Sequence, residues 1–309
     1  MKKILFLFIF ICAQAVIAQE KSYTIREINI NEGLTGDLYQ TKNTETVILL
    51  IAGSGPTDRN GNSSLTQNNA LKFLAEGLAA DDYSIFSYDK RVVAMINQKI
   101  PFEENPDFNH MITDAQIVIN YLKNTLHYKN VIIAGHSEGS LVGMVAGKTT
   151  GSAFISLAGA GNSIDAVLKE QLIKQAPFLS DDINNILKEL KAGNKVEKVN
   201  PLLASLFSPQ NQPFLIEWMQ YTPTDEIKKL KIPVLIINGT KDLQVSTTEA
   251  ELLHKALPSS ELLLIADMNH VFKNIIKDAD NMKSYNDINM PLHPDLVKGI
   301  VTFLRKHKL

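Results

Sequence analysis

The chain has 309 residues, with 31 Lys and Arg against 33 Asp and Glu, a formal charge of −2 and a single cysteine. Basic and acidic residues are interspersed and no basic stripe carries interleaved aromatics, which leaves a nucleic-acid role without support. With 45% hydrophobic residues the chain can fill one large core without metals or crosslinks, so one domain is expected.

Lys2 and Lys3 precede an apolar run over 4–11, and small residues follow, ending in Val16-Ile17-Ala18 before Gln19. This is the layout of a secretory signal peptide cleaved after Ala18. The apolar run is shorter than the roughly 20 residues a bilayer span needs, so no stable membrane anchor is expected after cleavage. Cys12 lies inside the segment, and Ile9-Phe10-Ile11 lacks the small residue that precedes a lipoprotein cysteine. A mature chain of 19–309 then contains no cysteine, which excludes disulfides and a thiol nucleophile. Its expected location is periplasmic or extracellular.

Residues 23–30 and 34–40 alternate like paired antiparallel strands around the turn Asn31-Glu32-Gly33. Residues 46–52 form a continuous apolar run ending at Gly53, the mark of a strand buried on both faces. Further runs of this kind cover 84–88, 131–134, 154–158, 233–238 and 261–265. Between them, 71–80, 110–126, 141–148 and 247–256 have helical spacing, and 294–306 closes the chain. Alternating strands and helices predict an α/β fold, a mainly parallel twisted sheet flanked by helices. From about 163 to 223 the alternation stops: 164–175, 182–191 and 201–207 read as helices without strands. That stretch is expected to be a helical cap inserted over the strand ends. Its aromatic residues, among them Phe214 and Trp218, are assigned to internal packing.

The strongest motif is Gly135-His136-Ser137-Glu138-Gly139, between the strand at 131–134 and a helix beginning near Ser140. This is G-x-S-x-G in a strand-turn-helix setting, where glycines let the backbone close sharply around an exposed serine. The helix that follows directs N–H groups toward an anionic intermediate. A serine hydroxyl needs a base, and the base needs an acid that fixes its tautomer. Asp242 follows the strand at 233–238, and His270 follows the strand at 261–265, both at the sheet edge that carries Ser137. Asp267 is the rival acid, but it lies on the same loop as His270. Among other histidines, His136 is assigned to packing beside the nucleophile, His254 falls in a helix, His293 precedes Pro294, and His110 and His127 come before Ser137.

The oxyanion hole is expected to use the backbone N–H groups of Glu138 and Ser54, the latter on the glycine-rich loop 52–61. That loop lacks both the G-K-[ST] ending and the G-x-G-x-x-G spacing of nucleotide cradles. No H-E-x-x-H or comparable metal-ligand cluster is present.

The order Ser137, Asp242, His270 resembles the α/β-hydrolase superfamily over nearly all of the mature chain. Gly53-Ser54-Gly55-Pro56-Thr57-Asp58-Arg59-Asn60-Gly61, with Tyr88-Asp89-Lys90-Arg91, is similar to a group of bacterial carboxylesterases close to the serine aminopeptidase-like hydrolases. The resemblance implies a serine mechanism on small to medium acyl esters and no cofactor. The sequence departs from that pattern at Val92, where the group has glycine, and in Val93-Ala94, so a changed loop path after Arg91 is expected. Asp58, Arg59, Asp89, Lys90 and Arg91 are assigned to scaffolding rather than substrate binding. A serine peptidase is the alternative within the same chemistry, and a non-catalytic binding protein on the same scaffold is the alternative outside it.

Overall fold

The computed structural model describes residues 22–31, 33–42, 45–99 and 106–309. The expected signal segment, 1–18, lies outside the described residues. No helix among the described residues is long and apolar enough to cross a membrane.

Eight strands form one sheet: β1 (Tyr23–Asn31), β2 (Leu34–Thr41), β3 (Thr46–Ile51), β4 (Ser84–Tyr88), β5 (Asn130–His136), β6 (Ala153–Leu157), β7 (Val234–Gly239) and β8 (Glu261–Ile265). Their order is β1-β2-β4-β3-β5-β6-β7-β8. β2 runs antiparallel to both β1 and β4, and every pair from β4 across to β8 is parallel. The mainly parallel sheet and the opening hairpin are as the sequence predicts.

Strand periodicity sorts the core into two layers. Val47, Leu49 and Ile51 of β3 join Val131 and Ile133 of β5 and the helices Phe108–Asn124 and Glu138–Gly147 on one face. Ile48 and Leu50 join Ile132 and Ala134, with the helices Ala70–Ala80 and Pro294–Lys306, on the other. Successive strand side chains point to opposite faces, so an unbroken apolar run serves both layers at once.

Local chemistry sets the helix ends. Asp107 accepts the N–H of His110, while its own N–H reaches His110 Nδ1, a reciprocal cap that starts the helix two residues before the predicted 110. His293 likewise caps the last helix by accepting the N–H of Asp295. One predicted loop is corrected: the chain after Lys90 forms a helix, Arg91–Gln98. Val92-Val93-Ala94 supplies side chains that a helix accommodates, and the buried Val93 faces inward.

Between β6 and β7 the chain forms the helices Ile164–Gln175, Ser180–Lys191, Ala204–Phe207, Gln212–Trp218 and Pro223–Ile227. Ile183, Ile186, Leu187, Leu190, Phe207, Leu215 and Met219 give this segment a buried cluster of its own. Phe108 stacks on Trp218 at 5.5 Å between ring centroids and 5° between planes, and meets Phe214 edge-on at 5.8 Å. These rings join the inserted helices to the main layer.

Candidate active site

β5 ends at His136, and the helix Glu138–Gly147 starts two residues later. Ser137 is squeezed between them at φ 55°, ψ −120°, a backbone state that costs a non-glycine residue about 1–3 kcal/mol. Its N–H donates to Leu157 O at 2.9 Å, and its carbonyl accepts the N–H of Ser140 at 3.0 Å, so β6 and the new helix both hold the turn. The turn closes because Gly139 lacks a side chain: a Cβ there would lie 2.4 Å from Ile51 O and 2.6 Å from Ala52 O. Gly53 permits a second close approach, since its Cβ would stand 3.2 Å from Ser137 Cβ.

Asp242 and His270 arrive on the loops after β7 and β8. His270 Nδ1 lies 2.7 Å from Asp242 Oδ2, and the two side chains are 4% and 0% exposed. Asp242 Oδ1 accepts the N–H groups of Gln244 and Val245 at 2.8 and 2.9 Å, which fixes the carboxylate plane. A carboxylate only accepts, so Nδ1 carries the proton and Nε2 keeps its lone pair for a substrate or nucleophile. Asp267, the rival acid, instead uses its backbone, donating to Thr240 Oγ1 and accepting the N–H of Ile275.

His136 does more than pack. Its Nε2 donates to the carbonyl oxygen of His270 at 3.0 Å, and its ring touches those of His270 and Phe272, each 4.7 Å away between centroids. Burial, reinforced by the neighbouring His270, pushes its pKa well below the ordinary histidine range. His136 therefore stays neutral. Sequence order alone gave no sign of this contact.

Two cavities flank the elbow and share Ser54. Ser137, His136 and His270 line the smaller, of about 230 Å³, where polar side chains such as Thr57, Ser63, Asn68 and Gln244 are mixed with Leu65, Leu71 and Val271. The larger, of about 420 Å³, is bounded by Ser54, Lys90 and Glu138 at the strand ends and by Met111, Phe214, Leu215 and Trp218 opposite. Phe214 and Trp218 thus serve as cavity wall as well as packing, a role their sequence context does not distinguish.

The motif charges divide into two groups. Arg59 donates to Asp89 through Nε and Nη2 at 3.0 and 2.7 Å and to Asp37 at 2.6 Å, and Asp58 Oδ1 accepts the N–H groups of Asn60 and Asn62. These residues brace the loop that ends at Gly61. Arg91 pairs with Asp114, and Lys90 with Glu138, both pairs reaching the larger cavity. Among the described residues no group of three or more His, Cys, Asp or Glu side chains is arranged to hold a metal ion.

Residues 67–274 match the family model described as serine aminopeptidase, S33. The chain is 26% identical over 261 residues to Esterase EstD of Thermotoga maritima, an alignment covering 81% of this chain and 60% of that relative's length. Est1E from Butyrivibrio proteoclasticus has a similar structure at 16% identity, with a TM-score of 0.56 and coverage of 92% of this chain and 98% of that one. An esterase of Pyrococcus furiosus, Pf2001, has a TM-score of 0.55 at 14% identity, covering 92% of this chain and 91% of that one. These structural likenesses bear on the fold alone. With the family match spanning more than half of its length, the chain belongs to the serine aminopeptidase S33 family of the α/β-hydrolase superfamily.

Proposed function

We propose that the protein is an exported serine carboxylesterase with Ser137 as nucleophile, His270 as base and Asp242 as the group that orients the base. The observation that carries this reading is the strained Ser137 elbow opening into the same cavity as a histidine whose Nδ1 is held by a buried carboxylate. Export rests on the sequence of residues 1–18. The Thermotoga relative is named an esterase, and the loop and triad order resemble carboxylesterases.

In this mechanism His270 Nε2 takes the proton of Ser137 Oγ as Oγ adds to the ester carbonyl carbon. The N–H groups of Ser54 and Glu138 bind the oxyanion. Collapse breaks the bond to the alcohol oxygen, which receives the proton from His270, and water then repeats the sequence on the acyl-enzyme. Because His270 must reach the leaving oxygen, the alcohol belongs in the smaller cavity that His270 lines. The acyl group extends the other way, past Ser54 and Glu138, into the larger apolar cavity. The substrate class is therefore an ester of a medium, apolar acyl group with a smaller alcohol.

An aminopeptidase reading is the competitor that the family description raises. An amine recognised at the site needs an unpaired carboxylate, yet Asp114 and Glu138, the acidic side chains lining the two cavities, are paired with Arg91 and Lys90. Purified mature protein should turn over p-nitrophenyl butyrate and octanoate faster than acetate, and all three faster than an aminoacyl anilide. Dominant anilide turnover would move the assignment to a peptidase.

A further inference from the structure

Lys90 stands at the carboxyl end of β4 with a side chain that is 6% exposed. Its Nζ donates to the carbonyl oxygen of Gly53 and lies 3.5 Å from Oε1 of Glu138, whose side chain is 1% exposed. The Gly53 carbonyl and the Ser54 N–H belong to one planar peptide unit and point in opposite directions. A donor fixed on that carbonyl therefore fixes the direction of the N–H, and a positive charge there polarises it into a stronger donor. Glu138, the other partner of the ammonium, supplies the second backbone N–H. One cation is thus tied to both arms of the oxyanion hole, across sequence separations of 37 and 48 residues.

Burying this cation carries a cost. An ammonium out of water loses much of its solvation, and burial lowers the pKa of Lys90 against the opposing pull of Glu138. An apolar pair of similar volume would pack here without that loss, but it would neither aim nor polarise the peptide.

We propose that Lys90 is a positioning residue of the oxyanion hole, its ammonium held by Glu138 so that it orients and polarises the Gly53–Ser54 peptide toward the developing oxyanion. This rests on the serine-esterase reading of the same site. Although Lys90 also borders the larger cavity, it acts on the reacting atoms through the Gly53–Ser54 peptide, so its main contribution appears in the transition state rather than in ground-state binding.

The test compares wild type, Lys90→Met and Glu138→Gln on p-nitrophenyl butyrate, with a trifluoromethyl ketone whose adduct carries a tetrahedral oxyanion. Lys90→Met should lower kcat by about 30- to 100-fold, the scale of weakening one oxyanion donor, with KM changed less than about twofold. Affinity for the ketone should fall in parallel. Unchanged kcat, or a loss confined to KM, in a folded Lys90→Met protein would overturn the proposal. Should that variant fail to fold, Glu138→Gln decides, because it keeps shape and an acceptor while removing the anchoring charge. A kcat loss of about tenfold at constant KM supports the role of Lys90, and an unchanged kcat overturns it. Wild-type protein without ester turnover would overturn the esterase reading and this proposal with it, whereas wild-type turnover that survives in both variants overturns the role of Lys90 alone.

Discussion

The imidazole of His136 grips the backbone of His270 through a 3.0 Å bond from Nε2 to the carbonyl oxygen, so the turn that carries Ser137 also holds the loop after β8. Three rings, His270, His136 and Phe272, pack in sequence behind the site. His136→Phe keeps a planar ring, somewhat larger than the imidazole, and removes the donor. It should lower kcat/KM for p-nitrophenyl butyrate about tenfold, roughly the worth of one buried hydrogen bond, with the melting temperature reduced by a few degrees. Full activity in that variant would show that the backbone of His270 needs no such tie.

The two candidate acids separate cleanly by substitution. Asp242→Asn leaves Nδ1 facing an amide that can donate, which favours the wrong tautomer, and kcat should fall on the order of 10³- to 10⁴-fold. Asp267→Asn should stay within about twofold of wild type, because Asp267 acts here through its backbone. Steady-state ester kinetics on both variants check this directly, and the reverse ranking would reassign the acid.

The elbow itself is sterically closed. Gly139→Ala places a Cβ against the carbonyl oxygens of Ile51 and Ala52, backbone atoms at and just beyond the end of the central strand β3 that cannot step aside. Stability should drop by about 1–3 kcal/mol in urea unfolding, and activity should fall more than the unfolded fraction explains. An unperturbed variant would mean that the strand end moves more freely than its packing indicates.

Acyl selectivity should follow the size of the larger cavity. Met111 lines it from the helix Phe108–Asn124, and Met111→Trp fills part of the roughly 420 Å³. Turnover of p-nitrophenyl octanoate should then fall at least about tenfold relative to acetate, since a few methylenes expelled from an apolar pocket are worth a few kcal/mol. An unchanged octanoate-to-acetate ratio would place the acyl group elsewhere.

Lys273 gives the stability a pH signature. It is buried, its Nζ donates to Met290 O at 2.6 Å and stands 4.7 Å above the Phe73 ring, and burial pulls its pKa down from 10.5 to about 8. Between those two values the unfolded chain binds more protons than the native one, so this residue makes stability rise with pH across that window. Below pH 8 both states hold the proton and the cost of burying the cation is fully present. Urea unfolding from pH 7 to 10 should therefore show wild type gaining on Lys273→Met as pH rises, and a constant difference would contradict the assignment.

What the sequence revealed depended on how local the physics was. The sharp turn at Ser137 was legible because a strand-to-helix turn imposes glycines within two residues, and the meeting of Asp242 with His270 because each follows an apolar run at the same sheet edge. The helix Arg91–Gln98 was missed because the departure at Val92 suggested a changed loop and hid the helical spacing. The contacts of Lys90 with Gly53 and of His136 with His270 escaped because these partners lie 37 and 134 residues away, set by sheet order rather than by spacing. Phe214 and Trp218 could not be told from core residues, since an aromatic on a cap helix packs with one face and lines a cavity with the other.

The central claim is that Ser137 forms the acyl-enzyme, and intact-mass and peptide analysis after reaction with a fluorophosphonate tests it most directly. One adduct per chain is expected, located on Ser137, with loss of ester turnover in step with labelling and no adduct in a folded Ser137→Ala protein. Labelling at another residue, or steady-state ester hydrolysis retained by Ser137→Ala, would contradict it.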